Sequence, residues 1–397
     1  MGTPFFSIVI PTRDRPQLIL DAVISSVDQQ FHSFEVILSD NSSDDKTLDT
    51  LRASGHVSRI TCIRPPREMA MPDHWEFATS QAKGEYVLVL TDRSILKQGA
   101  LSEISRALSA YGPGVISVCS WRWSLFDDAS GAELPDSNHT ENPTSRILSS
   151  QDVVAAFVGP QEGYPYSLPR AMNSCYSAGI AAKIRAQHGR LFFPLSPDFT
   201  SAFLMLAHVD QLLYIDTPLF ISRGLSSSTG GNAYRSDATN YLETLELEDW
   251  YRYVPIKASL VENFLFQDFL AMRTMAGGAL HVEIDWVEYF GRCYKEILGK
   301  QGQNIFNKQQ ITLLKREWER ALKDMDNDTQ RGVRFKLRCM RQLRMQMATR
   351  QLLSDLGLLT ALRKLRKTGR SPSTPRTTAL KAAGHRTPVD VGIESAS

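Results

Sequence analysis

The sequence is poor in cysteine and has no long apolar run. Its five cysteines (Cys62, Cys119, Cys175, Cys293 and Cys339) are scattered through 397 residues. An odd number, with no CxxC and no Cys/His cluster, supports neither a disulfide framework nor a zinc site, so reduced buried thiols are expected. The longest apolar stretch, Leu260 to Leu280, is broken by Glu262, Asp268 and Arg273. It falls short of the roughly 20 apolar residues that a spanning helix needs. After "MGTP" a strand pattern begins at once, without the charged and apolar regions of a signal peptide. Phe6 breaks the myristoylation pattern that Met1-Gly2 would open. The expectation is a cytoplasmic protein. Aromatic interleaving among the basic residues is also missing, so no nucleic-acid partner is expected.

What is present is an uneven charge. From Arg331 to the end there are 15 Lys and Arg against 3 Asp and Glu; the preceding residues hold 30 against 40. Such a split predicts a C-terminal part that meets an acidic partner.

Along the chain, short apolar runs alternate with helical periodicity. "FFSIVIP", "FEVILSD", "ITCIRP" and "EYVLVLTD" read as buried strands. "RPQLILDAVISSVDQQ", "SDDKTLDTLRAS" and "MPDHWEFATSQA" read as the helices between them. This alternation predicts βαβ units, an α/β fold with a mostly parallel sheet, and ligand binding at the carboxyl ends of its strands. Thr12–Arg15, Asp40–Ser43 and Thr91–Ser94 then share one edge. From about Pro113 the pattern loosens: an aromatic strand, "GVISVCSWRWSLFDD", precedes a polar loop and a Gly/Pro-rich stretch, Ala155–Gly179. "SPDFTSAFLMLAH" is a helix, "LLYIDTPLFIS" a strand, and Arg223–Arg235 a Gly/Ser loop able to close over a ligand or serve as a linker. After Tyr234 helices are expected to about Lys367, then a disordered tail rich in Pro, Ser and Thr. The divisions are 1–233, 234–367 and 368–397.

In order, spacing and context, "SIVIPTRDRPQLILDAVISSVDQQ", "FEVILSDNSSDDKT", "HWEFATSQAKGEYVLVLTD" and "SPDFTSAFLML" resemble the family 2 glycosyltransferases. The resemblance spans residues 5 to 230. It implies a GT-A fold (a Rossmann-like sheet flanked by helices), followed here by a helical C-terminal domain. It also implies inverting transfer of a sugar from a nucleotide diphosphate sugar to a saccharide or lipid-linked acceptor, in cell-surface polysaccharide or glycolipid synthesis. Pro11, Thr12, Asp14 and Asp40 match positions around the nucleoside, although Asp40 can equally open a turn. The family's Asp-x-Asp metal motif is reduced here to Thr91-Asp92-Arg93. Asp92 is the one candidate ligand for Mg²⁺ or Mn²⁺, and Arg93 a candidate replacement for that cation at the diphosphate. Asp198 matches the family's catalytic base; a helix N-cap is the competing reading. Pro197 stands where the family usually has a preceding acid. Trp75 is expected in the core, Glu76 as a surface or structural acid, and Trp121 and Trp123 on one strand face. A catalytically inactive nucleotide-sugar-binding or scaffold protein is the alternative from another class. A nucleotidyltransferase is a weaker rival, because "IPTRDRP" contains no glycine for a phosphate loop.

The basic amphipathic pattern of "RGVRFKLRCMRQLRMQM" suits contact with anionic lipid at the inner face of the membrane, or docking on protein.

Overall fold

The first strand, β1 (Phe6–Thr12), is buried along its whole length. That suits an apolar run covered on both faces, as strands of parallel sheets are. In this computed structural model it pairs in parallel with β2 (Phe34–Asp40) on one side and β4 (Tyr86–Val89) on the other. β3 (Thr61–Ile63) extends the sheet beyond β2. The structure describes residues 2–127, 132–134, 144–160, 165–223, 229–236, 238–245, 247 and 249–355. The expected tail 368–397 lies outside them, as does residue 224–228 of the expected closing loop.

The remaining strands are β5 (Ser94–Leu96), β6 (Val118–Asp127), β7 (Ala132–Glu133), β8 (Ser145–Ser149), β9 (Ser174–Ser177) and β10 (Gln211–Ser222). The main sheet runs β3-β2-β1-β4-β9-β6-β10-β5. It is mixed: β9 is antiparallel to both neighbours, whereas β6 and β10 are parallel. The register of β10 against β6 shifts around Pro218, as expected where a proline removes a ladder donor.

Gly84 shows why "GEY" opens β4. A Cβ there would stand 2.6 Å from the Ser7 nitrogen and 2.7 Å from the Phe6 carbonyl carbon. Only glycine permits that approach, and the Gly84 N–H donates to Ser7 Oγ at 2.8 Å.

The helices α1 (Pro16–Val27), α2 (Lys46–Ser54), α3 (Met71–Ser80) and α4 (Ala100–Ser109) connect the early strands. α2 starts later than its sequence pattern. Asp44 accepts the Lys46 N–H at 3.2 Å and Asp45 pairs with Arg64 at 2.8 Å, holding the preceding residues in a turn. Next come α5 (Ser150–Val158), α6 (Ala178–His188), α7 (Pro197–His208), α8 (Thr229–Arg235) and α9 (Thr239–Glu243). The last four are α10 (Val261–Met275), α11 (Trp286–Gly302), α12 (Lys308–Lys323) and α13 (Asn327–Asp355).

Contacts divide the chain into two units, Met1–Val333 and Arg334–Ser397. The first therefore contains both the sheet and α8 to α12. An aromatic cluster binds them: Phe157 of α5 lies 4.9 Å from Phe203 of α7 and 5.5 Å from Phe266 of α10, centroid to centroid. Phe203 lies 5.2 Å from Phe269. Each such buried ring contributes on the order of 1.5–3 kcal/mol. In the second unit, residues up to Asp355 continue α13. Among the described residues no helix is long and apolar enough to cross a membrane.

Candidate active site

In the strand order β3-β2-β1-β4, the chain moves outward from β1 to β2 and β3, then returns to the other side of β1 for β4. That makes the carboxyl ends of β1 and β4 a switch point, where open α/β sheets bind ligands. A cleft of about 680 Å³ opens there. Thr12 ends β1, Asp92 follows β4, and the Thr12 hydroxyl donates to Asp92 Oδ2 at 3.0 Å. Arg15, at the entrance to α1, holds Asp92 Oδ1 at 3.2 Å. Asp92 is 4% exposed. Burial raises its carboxyl pKa above the ordinary value, opposed by Arg15 and Thr12.

Arg93 turns from the same strand end towards β10. It donates to Ser222 Oγ at 2.8 Å and to the Arg223 carbonyl at 2.7 Å, joining two strand ends. Burial lowers its pKa, while the negative charges of Asp92 and Asp198 oppose that.

Asp198 lines the cleft at the start of α7. The helix begins at Pro197, so Ser196 is the N-cap and Asp198 stands in the first turn; the N-cap reading is corrected. Burial raises the Asp198 carboxyl pKa, and Arg170, two first-turn amides and Arg93 oppose that rise.

Arg170 gave no signal in the sequence, because it falls in the irregular Ala155–Gly179 stretch. Its guanidinium lies 4.5 Å from the Trp123 ring centroid and 5.2 Å from that of Phe199. Asn173 fixes the surrounding loop by donating to the carbonyls of Trp121, Tyr166 and Leu168 at 3.0–3.1 Å. Trp121 is core, 1% exposed, whereas Trp123 reaches the cleft.

Pro11, Thr12, Asp92, Arg93 and Asp198 all line the cleft. Asp14 and Asp40 stand beside it and are not among its lining residues. Asp40 accepts the Ser42 N–H at 3.0 Å and pairs with Arg64 at 3.3 Å, so the turn expected there is present. Asp14 has φ +54°, a left-handed conformation that Asp tolerates better than most residues. Its N–H donates to Ser42 Oγ at 2.8 Å, which ties the β1 and β2 ends together. Glu76 is structural, accepting from Arg185 at 2.5 Å and from the Leu191 and Phe192 amides. Trp75 is both nearly buried, at 7%, and part of the cleft wall. His74 Nε2 lies 2.9 Å from Ser39 Oγ, and burial takes its pKa down to about 4, so it is neutral at pH 7.

Residues beyond 233 also reach the cleft, among them Tyr241, Leu242, Thr244, Val261 and Phe264. Asp268 of α10 accepts the N–H groups of Leu195 and Ser196 at 2.7 and 2.8 Å, just ahead of α7. These contributions carried no motif.

Residues 7–141 match the family model described as Glycosyl transferase family 2. That segment carries Thr12, Asp92 and Arg93, while Arg170, Asp198 and Asp268 lie beyond it. The matched segment opens the α/β fold, a mixed sheet with flanking helices, and a helical C-terminal region follows. No curated protein matches the sequence. Among solved structures, residues 1–349 of S. aureus TarS in complex with UDP-GlcNAc are similar at 14% identity and TM-score 0.47, over 85% of this chain and 91% of that one. Against a longer S. aureus TarS structure the identity is 14% and the TM-score 0.45, and the chain spans only 54% of that protein. A mannosyltransferase from Pyrobaculum calidifontis in complex with GDP-Man and Mn²⁺ is similar at 12% identity and TM-score 0.42, over 85% of each chain.

Proposed function

We propose that the protein is an inverting glycosyltransferase that uses a nucleotide diphosphate sugar. The observation that carries this reading is one cleft, at the switch point of the sheet, lined by four guanidinium groups (Arg13, Arg15, Arg93 and Arg170) and two carboxylates, Asp92 and Asp198. The net positive lining matches a diphosphate. Asp198, its basicity raised by burial, removes the proton of the acceptor hydroxyl as that oxygen bonds to the anomeric carbon. The bond from that carbon to the diphosphate oxygen breaks, and the electron pair leaves with the diphosphate. Arg93 and Arg170 stabilise the charge that develops there. Thr12, Pro11, Asp14 and Asp40 form the nucleoside end, the two acids by shaping the β1 and β2 turns.

A divalent cation fits this donor set only as one held by a single protein carboxylate, since magnesium often binds one or two carboxylates plus substrate phosphates. Among the described residues no three His, Cys, Asp or Glu side chains converge. Asp92 would hold the cation, which would supply charge neutralisation at the diphosphate; the Arg15 pairing competes for the same oxygen.

The residues beyond 233 form the acceptor side. Tyr241, Val261, Phe264 and Leu265 present carbon to the cleft, with Thr244 as a polar group among them. This favours a lipid-linked acceptor over a free saccharide, in cell-envelope glycoconjugate synthesis at the inner face of the membrane. The division at residue 233 would then separate a donor-binding part from an acceptor-binding one.

The test is release of nucleoside diphosphate from a panel of nucleotide sugars, with Mg²⁺, Mn²⁺ or EDTA and with saccharide or lipid-linked acceptors. Turnover lost in EDTA and in Asp92→Asn assigns a cation to Asp92. Turnover that survives EDTA and is lost in Arg93→Ala assigns the charge to arginine. Nucleotide binding without turnover under any of these conditions sinks the transferase reading in favour of a scaffold.

A further inference from the structure

Of the buried acids that the chemistry above leaves unused, one stands next to the cleft. Asp268 on α10 is 1% exposed. Its Oδ1 accepts the Leu195 N–H at 2.7 Å and its Oδ2 the Ser196 N–H at 2.8 Å. The Tyr241 hydroxyl of α9 donates to the Leu195 carbonyl at 2.5 Å. Three backbone groups of two consecutive residues are thus held by side chains from two other helices. The next residues are Pro197, which starts α7, and Asp198.

A carboxylate is the group that such a pair of donors requires. It offers an acceptor to each N–H and strengthens both bonds with its charge. A neutral amide of the same shape would present N–H to one of the two donors and leave it unsatisfied. Asp268 therefore fixes the peptide that leads into α7, and with it the direction from which Asp198 enters the cleft.

We propose that Asp268 is the positioning residue for Asp198, a clamp from the helical segment that sets the candidate base. This rests on the reading of Asp198 as that base. Two titratable groups face the clamp: Asp198 from α7, whose negative charge resists ionisation of Asp268, and Tyr241 from α9. Burial takes the Asp268 carboxyl up to about 7, against the pull of the two N–H bonds. Protonation weakens the clamp, so turnover should fall as pH drops through that value.

The experiment uses the full chain with Asp268→Asn, Tyr241→Phe and Asp198→Asn, and two readouts. The first is amide hydrogen exchange of the segment around Leu195 and Ser196. The second is turnover of the active donor against pH. The proposal expects exchange there to rise about tenfold or more in Asp268→Asn, and less in Tyr241→Phe. It expects kcat to fall about tenfold with the donor KM unchanged, and the inflection near pH 7 to vanish. Tyr241→Phe keeps the acid, so it should retain that inflection; it also serves if Asp268→Asn does not fold. Raised exchange with unchanged kcat and an unchanged pH profile overturns the positioning role and leaves the transferase reading intact. A fully active Asp198→Asn overturns the assignment of the base, and the positioning role with it.

Discussion

At the strand edge, Arg13, Arg15, Asp92 and Arg93 meet the cleft with charge. From α9 and α10, Tyr241, Leu242, Val261 and Phe264 meet it mostly with carbon. The strand edge is motif-bearing: Thr12, Arg15 and Asp92 are linked at 3.0–3.2 Å across a crevice that the strand order creates. The helical segment is anchored by aromatic packing on α5 and α7 and acts through backbone. On the proposed reading, one side supplies reacting groups and the other decides where they stand. The two sides should therefore respond differently to substitution.

The largest effect is expected where they meet. Asp198→Asn should lower turnover by about 10²–10⁴, the usual worth of a positioned general base. Nucleotide binding, measured by calorimetry, should survive, because the arginines remain. Equal loss of binding and turnover would break the separation of roles. Next, Arg170→Ala should cost on the order of 10² in turnover, as loss of one stabiliser of developing charge does. It should leave thermal stability nearly intact if its work is electrostatic.

Asp268 separates the sides by pH. Its folded pKa, about 7, lies above the ordinary carboxyl value of 3.8. A raised folded pKa means that its contribution to stability is fully present below about pH 4 and is lost as pH rises through about 7. At about 1.4 kcal/mol per pH unit this loss is on the order of a few kcal/mol. Denaturant titrations should show the wild type losing stability across that window, and Asp268→Asn losing much less. An acid that costs stability when ionised, yet bonds two backbone donors, suits function better than folding. Gly84→Ala tests the strand side by structure alone. Its Cβ would press on backbone atoms of Phe6 and Ser7, for an expected cost of about 1–3 kcal/mol.

The strand edge was legible because its determinants are local. Short continuous apolar runs, and a glycine before β4, fix strands whose ends carry Thr12, Asp40 and Asp92. Asp40 shows the limit of that logic: position in a motif places the residue at the edge and its turn onto Ser42 is local, but its pairing with Arg64 is tertiary. Arg170 and Asp268 were invisible for a stronger reason. Arg170 sits in a stretch with no period, and its place depends on Asn173 and two aromatic rings from other elements. Asp268 reads in sequence as a break in an apolar helix; only its partners 72 and 73 residues away give it a role.

The smallest predicted effect distinguishes charge from carbon. Arg13, at the rim, pairs with Glu68; their side chains are 46% and 59% exposed. Such a pair contributes under about 1 kcal/mol to stability, so Glu68→Gln should leave the melting temperature almost unchanged. It does remove a negative charge beside a cleft lined by four guanidinium groups. Nucleoside diphosphate affinity should therefore rise a few-fold in low salt, and the gain should shrink at ionic strengths where the Debye length falls below about 10 Å. Phe264→Ala on the helical side should change diphosphate affinity little in either salt, since it removes no charge. If Phe264→Ala proved the salt-sensitive one, the assignment of donor to the strand edge and acceptor to the helices would have to be reversed.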